Sequence, residues 1–146
     1  DGYWSNAMGA ETAVSRGVGK IHIDVRRGDD PDKVRHSTCA GLAVTDDFIM
    51  KQPGSVDAAV RAIVKAQRML KLEPSLASKV GANLFPSEAA DLISAIVSRD
   101  TPFYDPAISA ITVQRINAFA QSVGQLSGPV PYEHVIAERC IPIWNS

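Results

Sequence analysis

Apolar positions change period partway along this chain. In Lys20–Arg26, Ile21, Ile23 and Val25 alternate with Lys20, His22, Asp24 and Arg26. A period of two predicts a strand with one buried face. Ser37–Val44 is a run of small and apolar residues, fitting a strand covered on both faces. From Ser55 the period becomes helical, with Val56, Val60, Ile63, Val64 and Leu70 on one stripe. Ser55 suits the N-cap of that helix and Asp57 its positive end. Pro74 starts a second helix carrying Leu76, Ala77, Val80 and Leu84, in which Gly81 costs about 1 kcal/mol relative to Ala. Phe85-Pro86-Ser87 opens a third, with Leu92, Ile93, Ile96 and Val97 inward. A fourth holds Ile108, Ile111, Ile116, Phe119 and Val123 and ends at Gly124 as its C′ glycine. Pro129 and Pro131 precede a last short helix over Tyr132–Arg139.

Shorter signals fill the gaps. Thr12–Arg16 reads as a short helix stopped by Gly17 and Gly19. Gly28–Asp32 is a turn sequence. Thr45-Asp46-Asp47 caps one helical turn bearing Phe48 and Ile49, which Pro53-Gly54 breaks. Thr101–Pro106 is a stiff loop, because two prolines fix φ and disfavour helix before them. Every expected strand lies before residue 46. That is too little sheet for a closed α/β domain, so the sheet is expected to gain strands from elsewhere.

Bulk properties narrow the function classes. A chain of 146 residues fits one domain with a real core. Its net charge of -1 gives no reason to expect nucleic acid as a partner. No apolar run is long enough to cross a bilayer. The chain opens on Asp1-Gly2 with no leader pattern, and reads as part of a longer polypeptide.

Catalytic patterns are sparse. His22, His36 and His134 are scattered without metal-ligand spacing, and no Gly-x-Ser-x-Gly occurs. Gly17-Val18-Gly19-Lys20 lacks the rest of a phosphate loop. Cys39 and Cys140 form no Cys-x-x-Cys; they read as two separate thiols, with a disulfide between them as the alternative in an oxidising compartment. Asp29-Asp30 reads as a solvated acidic turn, and Arg27-Gly28-Asp29 as a turn rather than an adhesion signal. No catalytic residue, metal site or cofactor is therefore expected.

Binding chemistry concentrates at the start, in Asp-Gly-Tyr-Trp-Ser-Asn-Ala-Met-Gly-Ala-Glu (Asp1 to Glu11). Aromatic faces beside a few polar tips suit a small-molecule pocket. They also suit plain packing at an element's end. Tyr3, Trp4 and Asn6 are the leading candidates, with Glu11 beside them. Arg26 and Arg27 close the alternating segment, where a guanidinium fork suits a carboxylate, sulfonate or phosphate.

Asp1 to Glu11, Val25-Arg-Arg-Gly-Asp29, Pro102-Phe-Tyr-Asp-Pro106 and Leu126-Ser-Gly-Pro-Val-Pro-Tyr132 together resemble one family. It is the solute-binding proteins of ABC importers that handle nitrate, sulfonates, taurine and thiamine-pyrimidine precursors. The likeness covers nearly the whole chain and maps it onto the second half of such a protein. Where the family usually has Gly, Ala7 stands here, while Asn6 keeps the preceding amide. The resemblance implies an α/β fold of the periplasmic-binding-protein-like type II class, C-terminal portion only, with a few strands and then about five helices. By this likeness residues 1–25 end a second lobe beside the cleft. Residues 26–45 cross back through the hinge, and residues 46–146 are C-terminal helices of the first lobe.

Such a protein is not an enzyme. It captures a small anion or pyrimidine-like solute between two lobes and presents it to a membrane permease. The implied location is periplasmic or extracytoplasmic, with a signal peptide in the missing N-terminal half. The piece alone is expected to bind weakly, since half the cleft is absent. Two alternatives remain. One is an enzyme resembling the thiamine-pyrimidine synthases, which needs a suitably placed His and metal-assembling cysteines; here His22 falls on a charged face and Cys39 stands alone. The other is a helical interaction module without a small-molecule site.

Overall fold

Some of the helices start where a side-chain oxygen takes up a free backbone donor. Helix α1 (Ala7–Ser15) begins at Asn6, whose side chain accepts from the Gly9 N–H at 3.1 Å. Helix α2 (Asp46–Lys51) begins at Thr45, whose hydroxyl accepts from the Phe48 N–H at 3.2 Å. After one residue the chain enters α3 (Pro53–Leu72). Pro53 therefore opens a helix, as proline at a first turn can, instead of only ending one. Helices α4 (Leu76–Leu84), α5 (Ser87–Asp100) and α6 (Ala110–Ser122) follow, with a 3-10 turn at Thr101–Phe103. Short α7 (Tyr132–Val135), a 3-10 turn at Glu138–Cys140 and α8 (Ile141–Trp144) end the chain. The computed structural model describes residues 1–25, 28–32 and 41–146.

Among those residues the architecture is all helical, with no strand and no sheet. This overturns the expected α/β, periplasmic-binding-protein-like type II class. Residues 20–24 take no regular structure, and the alternation does not place them as expected. Asp24 is buried, while Ile23 and Val25 are exposed. A strand is stable only when a neighbour takes its backbone hydrogen bonds. No described segment does so here. Of the second expected strand, residues 37–40 lie outside the described residues, and 41–44 are irregular.

The described contacts fall into two units, one of residues 1–27 and 66–104, the other of 28–65 and 105–146. In the first unit α5 is central and packs on both α4 and α1. Gly81 is what lets α4 approach. A Cβ there would meet Ile93 Cδ1 at 3.0 Å and Ala90 Cα at 3.9 Å. The helix-weakening glycine is thus a contact point, and Ala90 and Val97 are buried on α5. α1 ends in a Schellman pair. The Val18 N–H reaches the Ala13 carbonyl at 3.0 Å and the Gly17 N–H the Val14 carbonyl at 3.0 Å, with Gly17 at φ 68°.

In the second unit α6 starts at Ser109, whose hydroxyl accepts from the Thr112 N–H at 3.2 Å. It stops at Gly124, at φ 74°, in the same kind of pair. The expected C′ role of Gly124 is therefore observed. The apolar positions of α6 do not turn inward as a stripe. Ile111, Ile116, Phe119 and Val123 are exposed, whereas Thr112, Val113 and Asn117 are buried. Asn117 decides this orientation. Its amide donates to the Val130 carbonyl at 2.7 Å and accepts from the Val130 N–H at 3.0 Å. The Tyr132 hydroxyl donates to the Ile108 carbonyl at 2.8 Å, pinning the same loop to the other end of α6. Val56, Val64, Ile136 and Cys140 complete the buried set. Arg139 forks onto Asp57 at 3.1 and 2.8 Å.

Asn117 is 8% exposed. Asn117→Ala leaves two backbone groups of Val130 unpaired, and the expected loss is about 2–3 kcal/mol of unfolding free energy. Urea titration followed by circular dichroism measures it. Arg68→Ala, on the exposed side of α3, is expected to change stability by less than about 0.5 kcal/mol.

Candidate functional site

The N-terminal leader is the segment where binding chemistry was expected, and its placement follows from α1. Asn6 caps the helix, so the chain before it leaves at a fixed angle. The Tyr3 hydroxyl donates to the Gly9 carbonyl at 3.0 Å and folds the leader back over the first turn. A Cβ at Gly9 would crowd the Ser5 side chain, which would have to turn aside. The result displays two aromatic rings. Tyr3 is 68% and Trp4 is 82% exposed. An exposed indole costs apolar hydration, so a Trp presented this way is a ready contact surface.

The other expected residues divide. Asn6 sits beside the aromatic pair, but its oxygen is used in capping. Glu11 faces a different partner, forming an ion pair with the Arg99 guanidinium. Arg99 also binds Asp100 through Nε at 2.8 Å. Glu11 and Arg99 therefore tie α1 to the end of α5. Sequence reasoning gave Arg99 no role, because a pair so distant in the chain leaves no local signal. Arg26 and Arg27, like Cys39, lie outside the described residues. The described structure thus brings Tyr3, Trp4 and Asn6 together and directs Glu11 to the α1–α5 contact.

Titratable groups elsewhere follow their surroundings. Burial pushes the Cys140 thiol up, and the nearby Asp57 carboxylate pushes it further. Burial, then the Asp100 carboxylate, raises the Tyr104 phenol. The Ser75 hydroxyl, then Lys79, holds the Glu73 carboxyl low. Among the described residues no group of three His, Cys, Asp or Glu side chains is placed to hold a metal ion, and no helix is long and apolar enough to cross a membrane. No family model, curated protein or solved structure matches the chain.

Two outcomes test these assignments. Glu11→Gln is expected to loosen α1 from α5 by about 1 kcal/mol, the pair being partly exposed. Faster amide exchange confined to α1 is its signature. Cys140, 2% exposed, is expected to react with iodoacetamide at pH 8 far more slowly in the folded chain than in urea. Peptide mass mapping resolves it from Cys39.

Proposed function

We propose that this chain is the solute-capturing component of an ABC importer, acting outside the cytoplasm. Its solute is a small anion or a pyrimidine-like molecule. One observation carries the reading: Trp4 and Tyr3 stand exposed on a leader that Asn6 and the Tyr3–Gly9 hydrogen bond hold in place. The Tyr3 ring, held by that hydrogen bond, stacks on a planar solute with little further loss of side-chain freedom, and the exposed Trp4 indole beside it in the chain offers a second face. The sequence blocks shared with the nitrate, sulfonate, taurine and thiamine-pyrimidine-precursor binders support the same solute class and the permease as partner. Closure of two α/β lobes forms no part of this proposal. The role is capture and presentation, with no bond made or broken.

A helical interaction module is the second reading. It is favoured by Ile116, Phe119 and Val123, which line one exposed face of α6.

Trp4 fluorescence separates the two, recorded in a Trp144→Phe background so that a single indole reports. Titration with nitrate, taurine and 4-amino-5-hydroxymethyl-2-methylpyrimidine is expected to give a saturable change with at least one of them. Trp4→Ala should abolish the matching heat in calorimetry. Silence with all three would overturn solute capture. Self-association that Phe119→Lys abolishes, together with that silence, would establish the module instead.

A further inference from the structure

The second unit contains a cavity of about 420 Å³ between α6 and the loop that follows it. Its wall combines Val113 and Ala118 of α6 with Pro129 and Tyr132 of the loop. The volume is at the low end of ligand pockets and accepts a molecule of one or two rings. Three features define the occupant. No charged side chain lines the cavity, so an ion entering it would lose hydration without a partner. Gln114 and Gln121, seven residues apart on one face, bring exposed amides to the same opening. No hydrogen bond commits either amide among the described residues, so both are available to donate and accept. The frame is also held beforehand. Asn117 is occupied by both backbone groups of Val130, and the Tyr132 hydroxyl by the Ile108 carbonyl. The wall therefore needs no rearrangement to receive a ligand.

We infer that this cavity is a binding site for an uncharged planar ring bearing an amide-like edge. The ring lies against Val113, Ala118, Pro129 and Tyr132, and the edge pairs with Gln114 or Gln121. The cavity belongs to the second unit and the aromatic leader to the first.

Benzamide and 2-quinolone are the probes, titrated into the full chain and read by amide chemical shifts. Saturable shifts are expected at Ala110, Ala118 and Val130, with benzoate binding at least about tenfold more weakly because its charge finds no partner. Ala118→Leu fills the cavity from an exposed helical position and should weaken both probes at least about tenfold. Gln114→Leu keeps helix propensity, removes one amide and should weaken them severalfold, which covers the case of Ala118→Leu failing to fold. Trp4→Ala should leave these shifts unchanged. Absence of saturable shifts, equal binding of benzoate, or full binding by a folded Ala118→Leu would each overturn the assignment.

Discussion

The two hydrogen bonds between the Asn117 side chain and the Val130 backbone determine more of this structure than any apolar contact. An amide has one donor end and one acceptor end, and a loop residue offers the matching pair. Buried together, they are worth about 1 kcal/mol each, and leaving them unmade costs more. They fix which face of α6 turns inward. The consequence is that Val113 is buried and Phe119 is not. They also hold Pro129–Tyr132 against the helix, and the cavity is the space left between the two. A single polar clip thereby sets a core face, a loop and a pocket.

The first unit is organised by a different device. There α5 needs close approach on one side and a charge contact on another. Gly81 supplies the first by omitting a side chain where Ile93 must fit. Arg99 supplies the second by meeting Glu11 on α1. The helix cost of Gly81, about 1 kcal/mol, is offset by packing that a larger residue would push apart. Both contacts converge on α5, and the second of them holds α1, from which the exposed leader projects. The placement of Tyr3 and Trp4 is therefore a downstream effect of helix packing.

A binding role and an all-helical architecture make different demands. Capture needs a presented recognition surface, which the leader has. Closure of two α/β lobes needs sheets, and the described residues form none. The proposed function accordingly rests on the exposed aromatic pair, Tyr3 and Trp4. The apolar stripe Ile116, Phe119 and Val123 has the spacing of a packed helix face, i, i+3 and i+7, yet it faces solvent. A stripe of that kind is stabilised when further protein mass covers it.

By itself the sequence determined some helix ends: Thr45 caps, Gly124 stops, and Pro86 sits just before α5, because capping and φ preference act within a few residues. Other ends differ, since α1 begins at Ala7 and not Thr12, and α3 at Pro53 and not after a cap at Ser55. Local pattern also marked Tyr3 and Trp4 as candidates for contact. It misread residues 20–24 and 41–44 as strand, since such patterns state only which side chains suit a sheet and not whether a partner strand exists. It left the inward face of α6 undecided, because periodicity identifies an apolar stripe but cannot weigh it against one satisfied amide. Glu11 with Arg99, Asn117 with Val130 and Gly81 with Ile93 were decided only by tertiary structure. Each joins residues from different elements, and such pairing energies have no counterpart in the local chain.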